Sequence, residues 1–145
     1  MRSEGFTFVE LIVVLVILAG LAALVAPSYS RTVASARLRT AASDVRTSLA
    51  RGRALAVAGA GERAVAFDLS RGEFGVDNEA VRLLPDTIRL GAVLPGGDRL
   101  DRGSVRFRFF PDGGGEEAEI SVTAQDGGAL RVTVDPLTGL SEAGT

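Results

Sequence analysis

Cysteine, histidine and lysine are all missing from this chain of 145 residues. Each absence removes chemistry. Without Cys there is no disulfide, no thiolate nucleophile and no zinc–thiolate site, and the redox compartment is left open. Without His the commonest general base and the commonest transition-metal ligand are gone. No Ser-His-Asp relay can form, however many Ser and Asp residues are present. Without Lys there is no phosphate-binding lysine of the Walker type and no Schiff base; all 16 basic residues are Arg. The formal net charge of −2 gives no general drive toward nucleic acid or anionic lipid. Most enzyme classes are disfavoured, and structural or binding roles stay open.

What is present is unevenly spread. Hydrophobic residues make up 46% of the chain, and from Leu11 to Ala26 every residue is apolar or Gly. Taken back through Phe6–Val9, the run holds one charged residue, Glu10. About 21 residues at ~1.5 Å each span roughly 30 Å, enough for a bilayer core. In lipid the backbone must bond to itself, so helix overrides the β-branched Val and Ile residues. Three readings compete: a plain transmembrane anchor, a secretory signal peptide ending at Ala26, and a segment built around Glu10. Pro27 directly after the cut makes a poor signal-peptidase substrate, and the leading region is barely basic. An acid at the start of a membrane helix costs several kcal/mol without a partner, which marks Glu10 as functional.

Gly5-Phe6-Thr7-Phe8-Val9-Glu10-Leu11 ahead of an apolar helix resembles the class III signal of type IV pilins and of type II secretion pseudopilins. The resemblance implies cleavage by a prepilin peptidase between Gly5 and Phe6. It also implies N-methylation of Phe6 and an assembly role for Glu10 opposite the amino terminus of a neighbouring subunit. Gly5 would spare the protease a side-chain clash, and Phe6 and Glu10, four residues apart, share a helix face. Gly20 and Pro27 are the points where the helix is expected to kink. Arg31, Arg37, Arg39 and Arg46 lie just past the span, and by the positive-inside rule they favour a cytoplasmic C-terminal side. The resemblance implies the opposite: a single pass of the inner membrane with a periplasmic C-terminal domain.

Residues 28–60 read as an amphipathic helix. Leu38, Ala42, Val45, Leu49 and Ala56 follow one face. Arg37, Arg39, Arg46, Arg51 and Arg53 take other angles and read as a solvated face. Gly59 and Gly61 are expected to end the helix. From 61 the period becomes 2. Val65, Phe67 and Leu69 alternate with Ala64, Ala66 and Asp68, and Glu73–Val76 returns as a hairpin. Val81–Leu84 and Thr87–Leu94 are shorter candidates. Val105, Phe107 and Phe109 form one strand, Ile120 and Val122 the next, and Leu130, Val132 and Val134 another. A last short strand is expected near Leu140–Glu142. The apolar face of the strands needs a cover, which the helix stripe supplies.

Arg108-Phe109-Phe110-Pro111-Asp112-Gly113, a Gly-rich loop, a strand and Val134-Asp135-Pro136-Leu137-Thr138-Gly139 resemble the C-terminal region of the minor pseudopilin H family (GspH) and of the related FimT pilins. Leu49–Ala58 followed by a strand is also similar. The expected fold is therefore α+β and pilin-like, with a long N-terminal helix on an antiparallel β-sheet domain. Residues 1–5 form the leader, 6–27 the membrane and assembly helix, 28–60 the amphipathic helix and 61–145 the β domain. The implied function is a structural minor pseudopilin of type II secretion. Its implied partners are other pilins along the first helix, the prepilin peptidase and the inner-membrane assembly platform. A FimT-like minor pilin of a type IV pilus, acting in DNA uptake, is the alternative within the family. A membrane-anchored hydrolase or binding domain is the alternative outside it.

Asp112, Glu116, Glu117, Glu119 and Asp126 cluster in sequence, but they lack EF-hand spacing and read as solvated turns, so no metal or other cofactor is expected, calcium included. Gly113–Gly115 lacks the Lys and the strand–loop–helix context of a phosphate cradle and reads as a turn. Arg106, Arg108 and Arg131 are expected to share one exposed sheet face, with Glu119 paired to them across strands.

Overall fold

The structure is a computed structural model that describes residues 7–144, leaving out the side chains of 23–31. It begins at a helix cap. Thr7 Oγ1 accepts the Glu10 N–H at 3.3 Å, and helix α1 runs Phe8–Gly59. Thr7-x-x-Glu10 has the residue pattern of a capping box. The helix is assigned without a break through Gly20 and Pro27. The chain divides into two compact units, Met1–Ala34 and Ser35–Thr145.

In the second unit α1 presents Leu38, Ala41, Ala42, Val45, Leu49 and Ala56 inward. Several of these are Ala, so the helix lies close to what it covers. Gly52 shows how close. A Cβ there would stand 2.6 Å from Val65 Cγ2 and 3.3 Å from Phe109 Cδ2. Gly in mid-helix costs about 1 kcal/mol in propensity, and close packing offsets it. Gly52→Val is expected to lower stability by about 1–3 kcal/mol through overpacking. Chemical denaturation followed by far-UV circular dichroism checks this.

The helix ends in a Schellman-type cap. Gly61 N–H bonds to Ala56 O at 3.3 Å, and Ala60 holds the left-handed conformation with φ 47°. The expected stop was right in place but not in residue: Ala, not either neighbouring Gly, takes the position that favours glycine. Ala60→Gly is therefore expected to stabilise the chain by about 0.5–1 kcal/mol, read as a raised thermal midpoint.

Among the described residues nine strands follow: β1 (Arg63–Asp68), β2 (Glu73–Val76), β3 (Arg82–Leu83), β4 (Ile88–Val93), β5 (Arg99–Leu100), β6 (Ser104–Phe109), β7 (Ala118–Ala124), β8 (Ala129–Val134) and β9 (Ser141–Gly144). They form two antiparallel sheets, ordered β3-β2-β1-β6 and β5-β4-β7-β8-β9. The chain leaves the first sheet after β6. Pro111 brings no donor there, and Phe110 N–H turns to Gly114 O at 2.9 Å. Alternation is clean where it was expected: β6 buries Val105, Phe107 and Phe109, and β7 buries Ala118, Ile120, Val122 and Ala124. Ala64, placed on the outer face from sequence, is buried. β5 was not foreseen, and only Arg82–Leu83 of the Val81–Leu84 candidate pairs.

One apolar cluster joins the inward stripe of α1 to both sheets. Phe67 sits at its centre, stacked on Phe74 at 5.7 Å and edge-on to Phe107 at 6.0 Å between ring centroids. The helix does cover the sheets as the stripe implies. Among the described residues, no helix is long and apolar enough to cross a membrane. The run expected to do so, 6–27, extends outside them at Phe6 and at the side chains of 23–27.

Candidate assembly site

Gly5 and Phe6, the expected processing residues, lie outside the described residues. Glu10 is within them, exposed, in the first turn of α1. Around and beyond it Phe8, Val9, Leu11, Ile12, Val13, Val14, Leu15, Val16, Ile17, Leu18 and Leu21 are all exposed, by 43% to 76%. They occupy every angle of the helix, so no face of this stretch is polar. A helix apolar all round is a surface made to be covered by lipid or by other helices.

The second group of positioned residues joins the loops after β6 and β8 to α1. Arg53 was expected on a solvated face. Instead its side chain is half-buried, and its Nε–H is shared between Gly113 O at 2.9 Å and Thr138 O at 2.8 Å. The two loops also bind each other through Gly115 N–H to Pro136 O at 3.0 Å. Gly139 is the tightest point. Its φ is 62°, and a Cβ would stand 2.3 Å from Gly113 O and 2.9 Å from Arg53 Cδ. Phe-Phe-Pro-Asp-Gly and Asp-Pro-Leu-Thr-Gly are thus one docked assembly pinned by one guanidinium.

The carboxylates of these loops serve the backbone or a neighbouring Arg. Asp135 Oδ1 accepts from Leu137 N–H at 2.8 Å and Thr138 N–H at 2.9 Å. Those two backbone donors hold its pKa below the usual carboxylate range. Glu116 takes Arg108 Nη2 at 2.6 Å and Arg108 N–H at 3.0 Å. The Arg108 side-chain bond, ahead of the backbone one, lowers its pKa against partial burial. A depressed folded-state pKa contributes stability above the unfolded value and loses it as pH falls through the folded one. The amide shifts of Leu137 and Thr138 are therefore expected to titrate with a midpoint below ~3.9, the ordinary Asp value, in an NMR pH series.

Asp112 Oδ1 accepts Gly114 N–H at 3.0 Å, Asp126 Oδ1 accepts Gly128 N–H at 3.1 Å, and Glu119 pairs with Arg131 at 3.0 Å. The acids that are neighbours in sequence are therefore spread over separate turns and strands. Among the described residues no group of three or more acidic side chains stands together to hold a metal ion.

The Arg residues do not share a face. Arg106 and Arg108 project from β6 of the first sheet, whereas Arg131 belongs to β8 of the second. Arg106 pairs with Asp77 and Arg108 with Glu116, so Glu119 is left to Arg131 alone. Cross-strand pairing holds for that one couple, Glu119 on β7 and Arg131 on β8.

A long N-terminal helix whose second half covers antiparallel sheets defines a pilin-like α+β protein. The family model of type II transport protein GspH matches residues 41–138, and the chain belongs to that family. The matched stretch runs from the inward stripe of α1 to the loop that Arg53 holds. No curated protein and no solved structure matches the chain.

Proposed function

We propose that this chain is a minor pseudopilin of the type II secretion system, assembled through its first helix into a periplasmic pseudopilus. Membership of the GspH family over 41–138 carries the reading. The Gly5–Leu11 motif ahead of that region and the all-round apolar surface of α1 support it. The peptidase would cut before Phe6, and the same enzyme would methylate the new amine. The helix would then stay in the inner membrane until extracted, with the β unit on the periplasmic side. During assembly Glu10 would meet the amine of an adjacent subunit, neutralising two charges that lipid penalises. Gly20 and Pro27 would let the helix bend as it changes surroundings.

The role is structural. The force comes from a cytoplasmic ATPase, and no residue of this chain is asked for chemistry. Deleting the gene tests the reading. Exoproteins trapped in the periplasm and released again on complementation support it. Normal secretion with lost twitching or transformation would instead indicate a pilus subunit.

A further inference from the structure

Ser48 is the one buried polar side chain among the described residues, at 7% exposed. It stands on the flank of the inward stripe of α1, beside Val45 and Leu49, which are fully buried. Elsewhere on that stripe Ala takes the close positions, at 41, 42 and 56. A hydroxyl in a helix commonly bonds back to the carbonyl four residues earlier. Thr47 does so, donating to Ser43 O at 2.8 Å. Among the described residues the Ser48 hydroxyl meets no donor or acceptor. Such a group on a buried residue is rare in a folded chain. Ser48 lines a groove of about 410 Å³ between α1 and the β2–β3 hairpin, and its hydroxyl opens there.

The charges around the groove cancel. Arg51 Nη2 donates to Glu79 Oε1 at 2.7 Å, and Arg82 Nη1 to Asp44 Oδ1 at 2.9 Å. The helix supplies the base of the first pair and the acid of the second, so both pairs reach from α1 to the hairpin. Asp77, next along the hairpin, is taken by Arg106. The guanidinium groups of Arg51 and Arg82 are more than half exposed and keep N–H groups that no carboxylate uses. Val76 and Ala80 add an apolar wall. Donors and acceptors therefore stand together with no net charge. An ion entering would give up its water without meeting an opposite net charge. A neutral group that both donates and accepts is matched. The amide of Asn or Gln is such a group: its oxygen and its NH2 serve a guanidinium and Ser48 at once, which one hydroxyl on a short stem does not.

We propose that this groove takes an Asn or Gln side chain from an unlike subunit of the same filament. The proposal rests on the assembly reading above and deepens it by naming where a neighbour's side chain enters. A minor subunit is surrounded by chains other than its own copies, and α1, the element assigned to assembly, forms one wall of the groove. The rim is open to solvent between Arg51 and Arg82. It suits a side chain carried on a protein surface and does not enclose a free molecule.

The absence of Cys makes the test clean. Ser48→Cys, nearly isosteric, puts the only thiol of the full-length chain in the groove. The folded chain in detergent is alkylated with iodoacetamide or with iodoacetate, reagents that differ as amide and carboxylate. Relative to the same two rates in the urea-unfolded chain, the amide reagent is expected to gain about threefold. Equal ratios, or a gain for the carboxylate, would overturn the assignment of a neutral amide. In membranes of the native host, iodoacetamide labelling of the Ser48→Cys chain is expected to fall about tenfold when the other filament subunits are present, compared with a host lacking them. Arg89→Cys, on the exposed face of β4 in the second sheet, should label equally in both hosts. Equal labelling of the Ser48→Cys chain in the two hosts, labelling already low without the other subunits, or matching protection of the Arg89→Cys chain would overturn the proposal. Intact mass and filament content of the same samples separate this from the wider reading. A chain cut before Phe6 and incorporated, yet still labelled, loses the groove contact alone, and an uncut chain loses both.

Discussion

Chains carrying Glu10→Ala are expected to be cut before Phe6 as usual and then to be missing from the assembled filament. Glu10 stands in the first turn of α1, surrounded on every side of the helix by exposed apolar residues. A carboxylate in the first turn suits the helix N-terminus, but in lipid its charge is costly without a partner. On the proposed function, the amine of a neighbouring subunit would supply the counter-charge. Removing one partner of a buried pair costs about 3–5 kcal/mol, which is a loss of a hundredfold or more in incorporation. The ratio of filament to inner-membrane chain, by immunoblot after fractionation, reads it directly. Glu10→Gln keeps a hydrogen-bonding group and loses the charge, so it should fail almost as badly. Thr7→Ala is the control for helix structure. It removes the hydroxyl that takes the Glu10 N–H, at about 1 kcal/mol, and should leave incorporation largely intact.

The second large effect is expected at Arg53. Arg53→Met keeps most of the apolar stem but removes the donor that two carbonyls share. Gly113 and Thr138 would lose a charge-assisted bond worth about 1.5–3 kcal/mol. In a domain of roughly this size each kcal/mol moves the thermal midpoint by about 4–8 °C. Arg53→Lys should recover little, because an ammonium cannot present the guanidinium Nε–H from the same place. Hydrogen exchange distinguishes a loosened pin from general unfolding. The amides of Gly115 and Gly139, which bond to Pro136 O and Asp135 O, should lose protection. Those of β7, at the centre of the second sheet, should keep it.

Local signals in the sequence were enough for the longer strands and for the helix that covers them, but not for the two-residue strand β5. Val105, Phe107 and Phe109 advertise a half-buried strand by alternation, and β6 buries all three of them. The stripe of Leu38, Ala42, Val45, Leu49 and Ala56 identifies the covering face, and each of these residues is in the core. The split into two sheets was not legible. Period 2 says which face of β6 is buried but not that β1, rather than β7, is its neighbour. That choice follows from the turn at Pro111, where Phe110 N–H leaves the ladder for Gly114. Placing Arg106, Arg108 and Arg131 on one face failed for the same reason.

Arg53 was missed because its partners lie 60 and 85 residues away, while helix period sees only its near neighbours. One hint was present: Gly52 beside it, a poor helix residue, signals that something approaches α1 closely there. At the helix stop the Gly residues on either side of Ala60 drew attention from the residue that carries the positive φ. The processing motif is read from residue types and spacing, through the resemblance to class III signals. Its first two members, Gly5 and Phe6, stand outside the described residues, so the motif rests on chemistry.

Intact mass of the chain recovered from membranes of the native host tests the central claim most directly. A polypeptide beginning at Phe6 and carrying one added methyl on its amine is the result this account predicts. A polypeptide still beginning at Met1, in cells whose prepilin peptidase is active, would contradict it.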